Sequence, residues 1–250
     1  DHWLDADGKV LAEQMIGAFD LVHAYRAVFD NLAPMVRRQK CYGVDVQRDS
    51  KLVARGSGSV GRSFAFPLMA AEISRRGLMK ALDLGCGDAT FLAEACKRVP
   101  HLSARGVDIA PEAIELGNQR LAEAGLSGRV QLFVGDIFDA PSLARQAGDV
   151  QVATSVYVIH EFQDKIVTLF QRLRQALPGV PLLFCEVIRH SPEELRAKPG
   201  AIMEIQLFHE LSNQRLYTRA EWHEMMAAGG YTEVEETYLD FARTALFFAR

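Results

Sequence analysis

The chain has 250 residues, of which 49% are hydrophobic and 24% are charged, and its formal net charge at pH 7 is −4. This length accommodates one α/β domain with a smaller appendage, whereas the weakly negative charge argues against a nucleic-acid partner. No apolar run approaches the ~20 residues that a membrane-spanning helix needs, so the sequence predicts no membrane partner either.

The first part of the chain shows helical spacing of its apolar residues from 9 to 39, and a polar, glycine-rich stretch follows at 55–61. We predict that 55–61 is a flexible link and that Phe64–Arg76 forms a helix. The sequence therefore divides near residue 75, into a helical N-terminal region (1–75) and a second domain (76–250).

From residue 79 onward, segments with strand and helix character alternate, which predicts a mostly parallel sheet with helices on both faces. The predicted strands are 79–84, 104–108, 130–134, 150–156 and 181–187, and the predicted helices are 89–99, 111–124, 162–177 and 219–229. Two last strands, 231–238 and 244–249, bring the number of strands to seven. Ligands bind such sheets at the carboxyl ends of the strands, so functional residues are expected there.

A glycine-rich turn follows the first of these strands, in the sequence Asp83-Leu-Gly-Cys-Gly87. Gly85 and Gly87 let the backbone turn sharply and approach a ligand with no Cβ in the way. Asp108 ends the next strand, where a carboxylate would meet the ribose of a nucleotide. The order of strand, turn, helix, strand and acid predicts such a ligand, and a helix cap before Pro111 is the alternative role for Asp108.

The ligand is not expected to be a dinucleotide. A dinucleotide site needs a third glycine three residues after Gly87, where this chain has Thr90. Asp83 would repel a pyrophosphate, but it could hold a cationic amino group. A third acid, Asp136, follows the third strand, and a plain turn is its alternative role.

The three acids and the glycine turn together resemble the pattern of class I S-adenosylmethionine-dependent methyltransferases. The resemblance implies their Rossmann-like α/β sheet, mostly parallel with seven strands, and S-adenosylmethionine as the cofactor. It also implies that Gly85 and Gly87 pass under the methionine part of the cofactor. Asp108 would bind the ribose hydroxyls, and Asp136 would contact the adenine amino group.

The same resemblance implies further cofactor contacts. Ile109 would lie on one side of the adenine ring, and Ile137 or Phe138 would lie on the other. We also predict contacts to the cofactor from Asp83, which precedes the glycines, and from Ser155, at the end of the fourth strand.

A histidine, an acid and an aromatic residue, His160-Glu161-Phe162, open the helix after the fourth strand. This triplet resembles the Leu-His-Asp-Trp pattern of plant-type small-molecule O-methyltransferases, in which the histidine is the general base. The resemblance extends over residues 79–250 and implies a small-molecule methyl acceptor. Those enzymes carry an N-terminal winged-helix dimerisation domain, and Trp3–Leu11 resembles its last strand, which implies a homodimer through the N-terminal region.

His160 also suits the role of base on physical grounds. The unperturbed pKa of histidine is near ~6.5, which lets a neutral imidazole accept a proton at neutral pH. Either Glu161 or Glu186 could orient the ring. The alternative is that His160 only caps the helix that starts at Phe162.

A second histidine, His209, lies between the fifth strand and the last helix, where methyltransferases place a substrate lid. His160, Glu186 and His209 would supply two imidazoles and one carboxylate, a ligand set that suits Fe(II) or Zn(II). This layout resembles bacterial α-keto acid C-methyltransferases, in which a metal chelates a 2-oxo acid and favours its enolate. We predict these three residues as catalytic, with metal-assisted C-methylation as the leading mechanism. O-methylation with His160 as the base and no metal is the alternative.

Two other classes of function are weighed against methyl transfer. A nicotinamide oxidoreductase would need the third glycine and no acid at Asp83. A binding module without chemistry would keep the glycines but would not need His160, so the triplet at His160 favours an enzyme.

The cysteines and the start of the chain bear on its location. The four cysteines, Cys41, Cys86, Cys96 and Cys185, show no Cys-x-x-Cys spacing. We therefore predict neither disulfides nor a structural zinc, and we expect a cytoplasmic location. The chain begins with Asp1 and shows no signal peptide, so we expect that further residues precede it in the natural protein.

Overall fold

The computed structural model describes residues 19–197 and 202–250, together with Lys9 and Gly17. Within these residues seven strands form one sheet: β1 (Lys80–Leu84), β2 (Ser103–Asp108), β3 (Val130–Val134), β4 (Val152–Val156), β5 (Leu182–Val187), β6 (Val234–Leu239) and β7 (Thr244–Ala249). Their order is β3-β2-β1-β4-β5-β7-β6. Strand β7 runs antiparallel to β5 and β6, and the other neighbouring strands are parallel. The predicted Rossmann-like, mostly parallel sheet is confirmed.

The helices of the described residues are α1 (Arg26–Asp30), α2 (Leu32–Val36), α3 (Ser50–Ser63), α4 (Ala65–Arg75), α5 (Thr90–Arg98), α6 (Pro111–Glu123), α7 (Ala140–Ala147), α8 (Ile166–Ala176), α9 (Pro192–Ala197), α10 (Ile202–Leu211) and α11 (Arg219–Ala228). Helices α4, α5 and α6 pack on one face of the sheet, and α7, α8 and α11 pack on the other. Residues 19–24 are also helical, and two 3₁₀ helices, Ile159–Lys165 and Asp240–Ala242, follow β4 and β6.

Successive residues of each strand point to opposite faces of the sheet, and both faces are buried. On one face, Ala81 of β1 belongs to an apolar core with residues of α4, α5 and α6. On the other face, Leu82 and Leu84 belong to a core with residues of α7, α8 and α11. Because the parallel strands are covered on both sides, their carboxyl ends form the accessible edge, where the predicted acids lie.

The predicted flexible link at 55–61 is wrong, because these residues lie inside α3. Asp49 caps this helix, and its side chain accepts hydrogen bonds from two backbone N–H groups of the first turn, both at 3.0 Å. A Cβ on Gly56 would lie only 2.7 Å from Cγ of Leu21. Glycine therefore serves close packing of helices here rather than chain flexibility.

Most other predicted elements agree with the structure to within a few residues, and 130–134 and 244–249 have the predicted bounds. The predicted helix at 162–177 is divided into a 3₁₀ helix and α8, because Gln163 adopts a non-helical φ of 48°. Helices α7, α9 and α10 were not predicted; α7 and α9 have only 8 and 6 residues, too few to show a clear apolar period.

The N-terminal predictions are only partly open to comparison. Apart from Lys9, the segment Trp3–Leu11 lies outside the described residues, and the division near residue 75 stays a prediction. The described part of 9–39 is largely helical, as predicted. Among the described helices, none combines the length and the apolar character required to cross a lipid bilayer.

Candidate active site

The turn between β1 and α5 depends on glycines with positive φ, 70° at Gly85 and 52° at Gly87. A Cβ on Gly85 would lie 2.6 Å from Cγ1 of Val158, so a side chain there would displace the segment after β4. A Cβ on Gly87 would instead point into open space, with no neighbour within 4 Å. The open space beside the Gly87 backbone therefore suits the close approach of a bound cofactor.

Asp108 ends β2 and is tied to this turn. Its Oδ2 accepts a hydrogen bond from the N–H of Gly87, and its Oδ1 accepts one from the N–H of Ala110, both at 2.9 Å. Ala110 is the N-cap residue of α6, so Asp108 does not hold that position. A carboxylate has about four acceptor positions, so each oxygen can accept one more hydrogen bond, as a pair of ribose hydroxyls would require.

Asp83 lies under the turn, with 3% of its surface exposed. Its Oδ1 accepts a hydrogen bond from the hydroxyl of Thr154 at 2.7 Å. Burial raises the pKa of Asp83 to about 7; the hydrogen bond from Thr154 opposes this rise, and the charge of Asp108 adds to it. A cation beside Asp83 would favour the charged carboxylate. Asp83 is therefore chemically suited to hold a cationic amino group.

Asp136 lies next to Asp108 at the carboxyl edge of the sheet. The N–H of Gly135 donates to the carbonyl oxygen of Asp108 at 2.9 Å, which holds the turn after β3 against β2. The Asp136 side chain is exposed, and its Oδ1 accepts the N–H of Phe138 at 2.8 Å. This is the local bond of a turn, and the other oxygen can still reach a ligand.

The predicted apolar contacts to the adenine ring differ in accessibility. Ile109 is 72% exposed, whereas Ile137 is buried in the core. Phe138 is half-buried, and its ring contacts that of Phe162 edge to face, with centroids 5.1 Å apart. Of the two alternatives for the second side of the ring, Phe138 is the more accessible.

Ser155 is fully buried within the sheet. Its hydroxyl donates to the carbonyl oxygen of Leu84 at 3.2 Å, so it links β4 to β1. This position supports the strands beneath the turn and gives Ser155 less access to a ligand than the three acids have.

His160 and Glu186 form a buried hydrogen-bonded pair. Glu186 lies in β5 and His160 lies in the 3₁₀ helix after β4, with 0% and 4% of their surfaces exposed. Nδ1 of His160 is 2.7 Å from Oε2 of Glu186. Oε1 of Glu186 accepts the backbone N–H groups of Ile159 at 2.8 Å and of His160 at 3.3 Å. Because a carboxylate only accepts hydrogen bonds, Nδ1 carries a proton and Nε2 remains as the acceptor nitrogen.

The charges around His160 make it a stronger base. Burial acts to lower the pKa of His160, but the charge of Glu186, its hydrogen bond to Nδ1 and the charge of Glu161 outweigh burial. The positive charge of Arg48 also acts to lower this pKa, but the net result is a pKa of His160 above its ordinary value. The structure thus contains a fixed, basic imidazole at the carboxyl edge of the sheet.

Glu161, the other acid predicted to orient the base, makes different contacts. Its Oε1 lies 3.8 Å from Nε2 of His160, beyond hydrogen-bonding distance. Nη2 of Arg48 donates to both oxygens of Glu161, at 3.2 and 3.3 Å, and the side-chain amide of Gln214 donates to Oε2. The structure therefore brings Glu186, and not Glu161, into hydrogen-bonding contact with His160.

His209 lies on α10 beside the base, with the ring centroids of His160 and His209 5.2 Å apart. These residues and Glu186 share one region, as predicted, but their geometry does not suit a metal. Glu186 is directed at Nδ1 of His160, and both of its oxygens accept hydrogen bonds. In the part of the chain that the structure describes, no three His, Cys, Asp or Glu side chains are arranged to hold an ion. The predicted Fe(II) or Zn(II) site is therefore not supported.

Sequence reasoning missed three residues that are connected to Glu161, next to the base: Tyr25, Arg48 and Gln214. Arg48 is separated from Glu161 by 113 positions, and Gln214 is separated from it by 53. No local pattern marks residues that meet over such distances. An arginine shielded from solvent requires an acidic or hydrogen-bonding partner, but the sequence does not show that Arg48 is shielded.

Comparisons with known proteins identify the family of the chain. A family model described as a methyltransferase domain matches residues 76–230. The chain is 23% identical over 234 residues to the methyltransferase ungE' of Aspergillus campestris, which covers 88% of this chain and 68% of that protein. It is 26% identical over 167 residues to 3-hydroxy-5-methyl-1-naphthoate 3-O-methyltransferase of Streptomyces sahachiroi. That match covers 66% of this chain and 47% of the relative, so the chain spans about half of the relative's length.

Among solved structures, human N-acetylserotonin methyltransferase in complex with SAM has the same fold, with a TM-score of 0.67. The match covers 90% of this chain and 66% of that chain, with 16% sequence identity.

Proposed function

Since this chain belongs to the S-adenosylmethionine-dependent methyltransferases, we propose that it acts as the plant-type and bacterial O-methyltransferases do and methylates a hydroxyl oxygen of a small molecule. The observation that carries this proposal is the hydrogen bond between Nδ1 of His160 and Glu186, which leaves Nε2 to accept a proton. A hydroxylated aromatic acceptor is supported by the Streptomyces relative, which is named as a naphthoate 3-O-methyltransferase.

S-adenosylmethionine, when bound, supplies a methyl group attached to positively charged sulfur, which a nucleophile attacks. We assign the methionine part to the turn at Gly85 and Gly87 and its amino group to Asp83. The two remaining acceptor positions of Asp108 suit the ribose hydroxyls. The open space at Gly87 and the position of the Asp83 carboxyl group beneath the turn support these assignments.

The adenine ring would lie between the ends of β2 and β3. Asp136 is assigned to the adenine amino group, and Ile109 and Phe138 to the two faces of the ring. Ile137 would support Phe138 from the core. The exposure of Ile109 supports this assignment, because a large apolar side chain in water gains free energy when a ring covers it.

His160 acts on the methyl acceptor. Its Nε2 takes the proton of the acceptor hydroxyl, which makes the oxygen a better nucleophile toward the methyl carbon. The positive charge that this creates on the ring lies 2.7 Å from Glu186, which stabilises it. The imidazole also keeps its orientation, because Glu186 is itself fixed by two backbone N–H groups.

Product analysis tests the proposal. The protein is incubated with S-adenosylmethionine carrying a ¹³C-labelled methyl group, together with a panel of hydroxylated aromatic compounds and, separately, 2-oxo acids. We expect the ¹³C signal of a methyl bonded to oxygen. A methyl bonded to carbon, obtained from a 2-oxo acid and abolished by a chelator, would overturn the proposal.

We further propose that the N-terminal region forms a homodimer. It carries exposed apolar residues, with Phe19 67%, Val22 53% and Val36 65% exposed. Apolar side chains such as these are suited to the buried core of a contact with a second copy of the chain. We expect a dimer in light scattering of the intact protein and a monomer after Phe19→Asp with Val22→Asp. A monomeric parent would contradict this.

A reducing, cytoplasmic location is also proposed. Cys86, Cys96 and Cys185 are buried, Cys41 is exposed, and all four are free thiols. Burial raises the pKa of the Cys86 thiol, which makes it inert. Thiol labelling and mass spectrometry of protein isolated from its natural source should find Cys41, Cys86, Cys96 and Cys185 reduced.

A further inference from the structure

Glu161 stands between the base and the N-terminal region of the chain. Its Oε1 lies 3.8 Å from Nε2 of His160, and its side chain is 36% exposed. The guanidinium of Arg48 forms a two-oxygen contact with this carboxylate, and the amide of Gln214 donates to Oε2. If Glu161 reached hydrogen-bonding distance of this imidazole, the two groups would form a strong, charge-assisted bond, so the contacts that hold Glu161 at 3.8 Å affect the base.

Arg48 and Gln214 are themselves fixed. Nη1 of Arg48 donates to Oε1 of Gln214 at 2.7 Å and to the hydroxyl of Tyr25 at 2.8 Å. The hydroxyl of Ser212 donates to the same Gln214 oxygen at 3.1 Å. Tyr25, Ser212 and Gln214 are buried, and the Arg48 side chain is only 17% exposed. A connected network of this kind has one preferred arrangement, because each buried group would lose its partner if it moved.

We propose that Arg48 and Gln214 are positioning residues that hold the carboxylate of Glu161 away from Nε2 of His160. This inference rests on the proposed function, in which Nε2 accepts the proton of the methyl acceptor. If Glu161 approached to hydrogen-bonding distance, both ring nitrogens would be bonded to carboxylates. The ring would then stay protonated, and Nε2 could not receive a proton.

The distance between Glu161 and Nε2 of His160 also favours the proton transfer. At 3.8 Å the negative charge of Glu161 still attracts the imidazolium that forms during proton transfer. The groups that face His160 are Glu186 from β5, Glu161 from the 3₁₀ helix, His209 from α10 and Arg48 from the segment before α3. Arg48 acts to lower the pKa of His160 and Glu161 acts to raise it, so removal of Arg48 should raise it further.

This assignment makes the N-terminal region part of the active site. Tyr25 and Arg48 precede the methyltransferase domain match, which begins at residue 76. Tyr25 also stacks on Phe208 of α10, with ring centroids 5.1 Å apart. The network therefore connects the N-terminal region, the helix that carries His209 and the base.

Kinetics of four variants in the intact chain test the proposal: Arg48→Met, Glu161→Gln, the double variant, and Arg55→Met as the matched control. Arg55 binds Asp20 at the surface, outside this network. We expect Arg48→Met to move the acid limb of the kcat profile to higher pH. Each unit of that shift lowers turnover at pH 7 by about tenfold. The KM for S-adenosylmethionine should not change.

The double variant is decisive. Without the carboxylate, loss of Arg48 should keep only the direct effect of its charge on His160, so the acid limb should move most of the way back from its position in Arg48→Met to that of Glu161→Gln. If the double variant is as slow as Arg48→Met, and its acid limb matches the parent's, the proposal is overturned and Arg48 has only a structural role.

A second measurement does not depend on turnover. NMR titration of the His160 ring in protein without substrates should show a higher pKa in Arg48→Met, and most of this rise should disappear in the double variant. An unchanged pKa overturns the proposal. A shifted pKa with normal turnover in Arg48→Met would retain the positioning and reject the base role of His160, so the two failures are distinguishable.

Discussion

The cofactor side and the base side of the active site are built in different ways. On the cofactor side, Asp83, Asp108 and Asp136 lie at or just after the ends of three neighbouring strands. Strand pairing alone brings them together, since Asp83 pairs with Gly106 and Asp108 pairs with Val134. On the base side, His160 is surrounded by residues from four separate segments, and side-chain hydrogen bonds hold them in place.

This difference separates binding from chemistry. A substitution among the three acids should change cofactor affinity and leave the base intact. A substitution around His160 should change the rate of methyl transfer and leave cofactor affinity intact. The following predictions test that separation.

The largest effect is expected from Glu186→Gln. The amide would donate to Nδ1, which moves the ring proton to Nε2 and leaves no acceptor there. We expect turnover to fall by about 10²-fold or more, the range for loss of a positioned base. Calorimetry should find unchanged affinity for S-adenosylmethionine. Glu193→Gln, on exposed α9, is the control. Equal turnover in the two variants would contradict the role of Glu186 as the hydrogen-bond partner of His160.

Asp83→Asn should raise stability while weakening cofactor binding. The pKa of Asp83 is about 7 in the folded protein, against an ordinary value of 3.8. The folded state thus holds the proton more tightly, and the parent loses stability as the pH rises from 3.8 through about 7. This loss amounts to about 2–4 kcal/mol at pH 8.

Urea unfolding of the unliganded protein measures this pH-dependent loss of stability. The Asp83→Asn variant should gain most of that free energy at pH 8, and the gain should shrink as the pH falls toward 4. A gain that is independent of pH would show that Asp83 is not the titrating group.

Asp108→Ala should weaken cofactor binding by about 2–3 kcal/mol, because two ribose hydroxyls would lose a charged acceptor. The N–H of Gly87 would lose its partner as well. At saturating cofactor, turnover should stay within a few fold of the parent. The control variant Asp149→Ala, at the opposite end of the sheet, should bind S-adenosylmethionine normally. An Asp108→Ala variant that binds the cofactor equally well would refute the ribose assignment.

The smallest effect is expected in the pH dependence of kcat for the parent protein. Because the pKa of His160 is raised above 6.5, kcat at saturating cofactor should fall by up to about tenfold for each pH unit below that raised value. Glu186→Gln should move this acid limb to lower pH. A parent profile whose acid limb lies below pH 6.5 would contradict the raised pKa.

The same contrast explains what could be predicted from the sequence. The strands and the acids at their ends follow local patterns, so β3 and β7 were predicted with their observed bounds. The glycines of 55–61 indicated a link because sequence alone does not show that Gly56 packs against Leu21. Arg48 could not be found, because its contact with Glu161 depends on packing between distant segments. The predicted metal site is not supported for the same reason: the residue types were compatible, but the sequence does not show that Glu186 is directed at Nδ1 of His160.

Turnover and cofactor affinity of His160→Ala, measured on the same preparation, test the central claim most directly. The exposed His101→Ala provides the control. We expect turnover to fall by about 10²-fold or more while the Kd for S-adenosylmethionine stays within about twofold of the parent. Near-normal turnover in His160→Ala would contradict the claim that this imidazole is the base of an O-methyltransferase.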